Sequence, residues 1–183
     1  MPDTKLKKHT TKYIFVSGGV ISGIGKGLTS SSVALLLQSA GFTVAPIKFE
    51  NYLNIDAGTI NPIEHGDPFL CEDGTEADMD MGTYEKFLHK DVMRHNFITM
   101  GQIYSEVIRR ERNLEYGGKN VEVVPDIPLE VIRRIKDAQK KVKADVTLIE
   151  IGGTIGEYQN IIFLEAARML KQECPRDVAV VMV

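Results

Sequence analysis

Tyr13-Ile14-Phe15-Val16-Ser17-Gly18-Gly19-Val20-Ile21-Ser22-Gly23-Ile24-Gly25-Lys26-Gly27 is the stretch on which the fold turns. Tyr13 to Val16 is a short aromatic and β-branched run that ends in small residues, as a buried strand ends in a turn. Past the glycines, Leu28 to Ala40 sets Val33, Leu36, Leu37 and Ala40 at helical spacing, and Gly41 supplies a C-terminal stop. A glycine-rich segment between strand and helix lets backbone N–H groups close on phosphate oxygens. The helix dipole and the Lys26 charge add to the attraction. The spacing is a variant one, because Val20 stands at the usual first glycine and Gly27 where a magnesium-binding Ser or Thr usually follows the lysine. A tight turn without ligand is the other reading these residues leave open.

Working outward, Thr43 to Lys48 reads as a second strand, completing a βαβ unit. Residues 49–82 show no period and abound in Asn, Asp, Gly and Pro, so a long loop is expected. A helical region is predicted from Thr83 to Arg112 with a break near Asn96 to Gly101, then a third strand over Val121 to Val124. Pro128 suits the first turn of a helix reaching Lys143. Ala144 to Ile151 reads as a fourth strand, Asn160 to Lys171 as a helix, and Val178 to Val183 as a fifth strand on which the domain is expected to be cut short. Alternating strands and helices with apolar strands predict a three-layer α/β/α domain with a mostly parallel sheet, of the P-loop NTPase kind.

At 183 residues one domain is expected, running from 12 to 183 behind a polar, lysine-rich flexible leader over Met1 to Thr11. That leader has no apolar region of a signal peptide, and no run approaches the roughly 20 apolar residues that span a bilayer. A formal net charge of -3 argues against a nucleic-acid-binding surface. Cys71 and Cys174 lie far apart without metal-ligand spacing, so free thiols in a reducing, cytoplasmic setting are expected.

Ligands in open α/β sheets bind at the carboxyl ends of the strands. Glu150, at the end of the fourth strand, is therefore a candidate magnesium ligand, and Gly152 and Gly153 keep the next turn open. Lys48 ends the second strand as Lys26 follows the first, so parallel neighbours would bring two ammonium groups to one phosphate site. A buried lysine merely reaching solvent is the competing reading. Glu72 to Asp80 holds five carboxylates in nine residues without an EF-hand pattern, and chemistry alone does not choose between a solvated run and a site. His65 beside Gly66 is equally ambiguous, while His89 and His95 read as surface or core residues.

Four motifs in order resemble the CTP synthase family. They are Tyr13 to Gly27, then Asn54-Ile-Asp-Ala-Gly-Thr with Pro62-Ile-Glu-His-Gly, then Glu72 to Phe87, and Glu150-Ile-Gly-Gly-Thr-Ile-Gly. The resemblance implies ATP-dependent phosphorylation of UTP at O4 and displacement of that phosphate by ammonia, giving CTP. It implies ATP as co-substrate on Gly23, Ile24, Gly25, Lys26, Gly27, Leu28 and Asp80, with Lys26 and Lys48 as catalytic lysines. It further implies Mg2+ on Asp80 and Glu150, Ser22 on the pyrimidine nucleotide, and His65 near the ammonia passage.

The family commonly has Asp-Ile-Glu for UTP and the inhibitor CTP where this chain has Glu157-Tyr158-Gln159. Its Lys-x-Asp-Pro-Tyr reads Lys48-Phe49-Glu50-Asn51-Tyr52 here, and Gly23 stands where serine is frequent. A homotetramer is implied, as is a glutaminase domain that would lie beyond Val183 together with further UTP-binding residues. This chain alone is therefore expected to bind ATP without making CTP. The alternatives are another P-loop ligase, related to dethiobiotin synthetase, or a nucleotide-binding or assembly module without catalysis.

Overall fold

The computed structural model describes residues 11–21 and 23–183; most of the expected leader and Ser22 lie outside the described residues. In chain order the elements are β1 (Lys12–Ser17), α1 (Lys26–Ser39), β2 (Val44–Glu50), α2 (Pro62–His65), β3 (Phe69–Leu70), β4 (Glu76–Ala77) and α3 (Asp80–Leu88). They continue with β5 (Phe97–Thr99), α4 (Met100–Arg112), α5 (Val123–Val142), β6 (Val146–Ile151), α6 (Ile161–Glu173) and β7 (Val178–Met182). A parallel sheet runs in the order β5-β2-β6-β1-β7, and β3 and β4 form a small antiparallel pair. This is the expected three-layer α/β/α fold.

Successive strand side chains point to opposite faces, and the core divides accordingly. Phe15, Ile47, Phe49, Ile98 and Ile149 pack with Ile103 of α4, Ile135 of α5 and Phe163 of α6. Val16, Val44, Phe97 and Leu148 pack on the other face with Ala34 of α1 and Met81, Tyr84 and Leu88 of α3. The same period turns Lys48, Glu50 and Glu150 toward the layer of α1 and α3.

Several expectations need correction. Val121 to Val124 is not a strand: Val121 packs half-buried against the core from the loop before α5, while Val123 and Val124, 49% and 47% exposed, open α5 and face outward. Val124 is extended (φ -121, ψ 123), so regular helix runs from Pro125. Pro128 still falls in the first turn of that regular helix, where its fixed φ suits the helical backbone. The missing strand lies in the predicted helix break. Phe97, Ile98 and Thr99 are fully buried and pair with β2, but three residues are too few to show a period.

The long loop is shorter than expected, since β2 keeps Glu50 and the segment beyond it contains α2, β3 and β4 before α3 opens at Asp80. Leu36, predicted to face inward, is exposed. Strand β7 is buried only at Val178, leaving Val180 to Met182 open at the sheet edge. Gly41 does stop α1, with φ 93 and its N–H donating to the Gln38 carbonyl at 2.9 Å.

Candidate functional site

Three segments meet at the carboxyl ends of β1, β6 and β2. After β1 the chain turns through Gly25, which caps α1 in the left-handed region (φ 95) that a side chain disfavours. Lys26 opens the helix and is only 8% exposed. Its stem lies across Gly18, where a Cβ would sit 2.8 Å from Nζ, and Nζ donates to the Gly153 carbonyl at 2.6 Å. The Ile155 N–H donates to Gly18 O at 3.0 Å, tying the glycine-rich loop to the turn after β6.

The second cluster follows from register. Residue 48 is paired with residue 150 across β2 and β6, and both face α3. Lys48 Nζ donates to Glu150 Oε1 at 2.9 Å and Asp80 Oδ2 at 2.6 Å, and lies 3.4 Å from Glu50. Asp80 and Tyr84, one helical turn apart on α3, reach the same place, and the Tyr84 hydroxyl donates to Glu150 Oε2 at 2.7 Å. Gly27 completes the link to the glycine-rich loop, because a Cβ there would lie 3.2 Å from Asp80 Oδ1. The position that usually carries Ser or Thr is thus a glycine with a carboxylate against it.

Electrostatics set the protonation states. Burial pulls the Lys48 pKa down, but the carboxylates of Glu50, Glu150, Asp80 and Asp78 outweigh it and hold the amine charged well above its ordinary range. Burial pushes Glu50 up to about 8, with Asp78 adding and Lys48 opposing. Glu50, with its proton held to about 8, is largely neutral at pH 7 and gives Lys48 little charge there. Lys48 nonetheless stays cationic, because Asp80 and Glu150 are in direct contact with it. Tyr84 is raised by burial and by Glu150, so it remains a donor.

The structure sorts the predicted residues. Lys26 and Lys48 do not converge as neighbours, because β6 intervenes between β1 and β2; each ammonium has its own acceptors. Of the acidic run, Asp80 touches Lys48, whereas Asp73 is held at about 2: burial raises it, but hydrogen bonds from Arg94 and Thr75 outweigh that. His65 ends α2 with Nδ1 4.0 Å from Asp78, its ring edge-on to Tyr52. Glu157 accepts from Thr154 N and from Asn51 Nδ2, both at 2.7 Å, while Tyr158 is 87% exposed and Gln159 is also exposed. Gly23, Ile24 and Leu28 stand on the exposed rim of the loop.

Sequence reasoning did not place Glu50, Asp78, Tyr84 or Asn160 at the site. Glu50 could have been found by strand period from Lys48, and Tyr84 by helical period from Asp80. A groove of ≈ 860 Å³ opens beside β5, lined by Arg94, Gln102, Arg133 and Lys141 among others, and no predicted site residue lines it. No helix among the described residues is long and apolar enough to cross a membrane.

The family model described as CTP synthase N-terminus matches residues 12–183. CTP synthase of Nautilia profundicola is 50% identical over 163 residues, covering 89% of this chain and 30% of that protein. CTP synthase of Porphyromonas gingivalis is 52% identical over 163 residues, with the same shares. The Pyrococcus furiosus CTP synthase is 48% identical over 167 residues, covering 91% and 31%. The chain thus spans about 30% of the length of the curated relatives it matches. With its glycine-rich loop joined through Asp80 to a buried lysine and glutamate, and matched by the family model from residue 12 to 183, the chain belongs to the CTP synthase family.

Proposed function

We propose that this chain forms the ATP-binding and phosphoryl-transfer site of a CTP synthase, an ATP-dependent C–N ligase. In this reading ATP phosphorylates O4 of UTP and ammonia then displaces the phosphate to give CTP. The observation that carries it is the convergence of Lys48, Asp80 and Glu150 at the strand ends, with Asp80 also against Gly27 of the phosphate loop. Gly23 to Leu28 wrap the ATP phosphates, and Lys26 turns from the Gly153 carbonyl to meet them. Lys48 presents a permanent charge to the transferring phosphoryl group from a site too buried for water to screen it.

Asp80 and Glu150 fit magnesium. Among the described residues no cluster of three or more His, Cys, Asp or Glu forms a complete metal cage. Magnesium is commonly held by one or two carboxylates together with substrate phosphates, which matches this donor set. When bound, it would neutralise charge on the phosphates. Ser22, Tyr158 and Gln159 are assigned to the pyrimidine nucleotide, UTP or the inhibitor CTP. Glu157 serves that nucleotide by keeping the turn after β6 closed. His65 is assigned to the ammonia passage, supported by its place beside Asp78 on the Glu50 side of Lys48. In the whole protein a glutaminase domain would supply ammonia from glutamine, within a cytoplasmic homotetramer.

Calorimetry with ATP and Mg2+ tests the reading. Lys26→Ala is expected to weaken ATP binding by at least about tenfold, the loss of a charge-assisted phosphate contact. Unchanged affinity in a folded variant overturns it.

A further inference from the structure

We propose that the Lys48 ammonium fills the place a divalent metal would take between Asp80 and Glu150, so that lysine and metal compete for the same oxygens. The inference rests on the reading above for the identity of the metal ligands. Glu150 is 1% exposed, and its two oxygens are divided: Oε2 receives the Tyr84 hydroxyl, and Oε1 receives Lys48. The oxygen that would face a cation is therefore the one Lys48 already holds. Asp80 offers Oδ2 to the same nitrogen from the more exposed side, its side chain 39% accessible.

Lys48 is fixed on a central strand with its side chain 5% exposed, so its charge cannot leave the neighbourhood. Glu50, 3.4 Å away on the same face of β2, gives it another carboxyl group to turn to. A dication arriving alone meets a resident positive charge and finds its ligands engaged. A dication arriving with nucleotide phosphates brings both further ligands and the negative charge that the displaced ammonium needs. Metal binding without nucleotide is therefore weak. Release of Lys48 from Asp80 toward the phosphoryl group is coupled to loading of metal and nucleotide together.

The test titrates the nucleotide-free protein with Mn2+, reading free Mn2+ by electron paramagnetic resonance. Lys48→Met is expected to bind Mn2+ at least about tenfold tighter than wild type, because a like charge at contact distance is removed. Lys48→Arg, which keeps the charge, is expected to stay near wild type. Lys48→Gln retains a donor for Glu150 and gives the same gain should methionine cost the fold. Adding Asp80→Asn to the tighter variant is expected to abolish the gain. A folded Lys48→Met or Lys48→Gln that binds Mn2+ no tighter than wild type overturns the proposal, as does a gain that survives Asp80→Asn. Tight Mn2+ binding by these variants alongside absent Mg·ATP binding by wild type would support the competition while removing the ligase reading.

Discussion

Lys48 and Glu150 face each other 2.9 Å apart because the parallel register of β2 and β6 pairs residue 48 with residue 150. The pair is buried, and it is held in place by groups on a third element, α3.

Tyr84→Phe tests that support. The variant keeps the ring in the core and removes the donor to Glu150 Oε2, leaving a buried carboxylate oxygen unsatisfied. A loss of about 1–3 kcal/mol in urea unfolding is expected. A change within experimental error would mean that water replaces the hydroxyl.

Gly18→Ala should separate ATP binding from stability. A Cβ at this position would lie 2.8 Å from Lys26 Nζ and 2.9 Å from Cδ, and the end of a flexible side chain can move away. Weaker ATP binding with a melting temperature close to wild type is expected. Calorimetry and thermal unfolding on the same sample check both halves.

Glu50 should leave a signature in the pH dependence of stability. Burial raises its pKa from 4.5 to about 8, so between those values the folded state binds the proton more tightly than the unfolded chain. Stability from this group is therefore greatest at low pH and falls as pH rises toward 8, by at most about 1.4 kcal/mol per pH unit. Glu50→Gln, which mimics the neutral acid, should flatten the urea-unfolding profile between pH 5 and 8. Lys48, raised above its ordinary range, adds no slope in that window. Parallel profiles for variant and wild type would contradict this.

Asn160→Ala should loosen the turn after β6. Asn160 is 1% exposed and donates to the Gly152 and Thr154 carbonyls at 2.9 and 2.7 Å, while accepting from Asn51. Its removal strands buried acceptors, and a loss of about 1–3 kcal/mol is expected. Faster hydrogen exchange at Ile155, whose N–H binds the Gly18 carbonyl, would locate the damage.

The parallel sheet, the glycine-rich turn between β1 and α1 and the strand-end position of Glu150 were legible because each is written locally, as apolar runs followed by glycines. Lys48 and Lys26 were individually legible, but their relation was not. Which strand lies between two others is settled by packing across 100 residues rather than by local pattern. Phe97 to Thr99 was hidden because a three-residue strand between helices shows no period. Val121 to Val124 misled for the converse reason: Val123 and Val124 face outward at the start of α5, although the run reads as apolar. Chemistry alone did not choose Asp80 from the acidic run; the family resemblance did, and α3 sets it on one face with Tyr84, which no local pattern of charges spells out.

The strand order β5-β2-β6-β1-β7 also bears on how the molecule assembles in time. Strands β1 and β2 are complete by residue 50, and β2 can pair with β5 by residue 99, yet β1 and β2 are joined into one sheet only when residues 146–151 arrive between them. Closing so long a loop favours slow, late completion of the sheet. The strand that arrives last in that trio also carries Glu150, so the nascent chain gains its central hydrogen-bond ladder and the counter-ion of Lys48 in the same step.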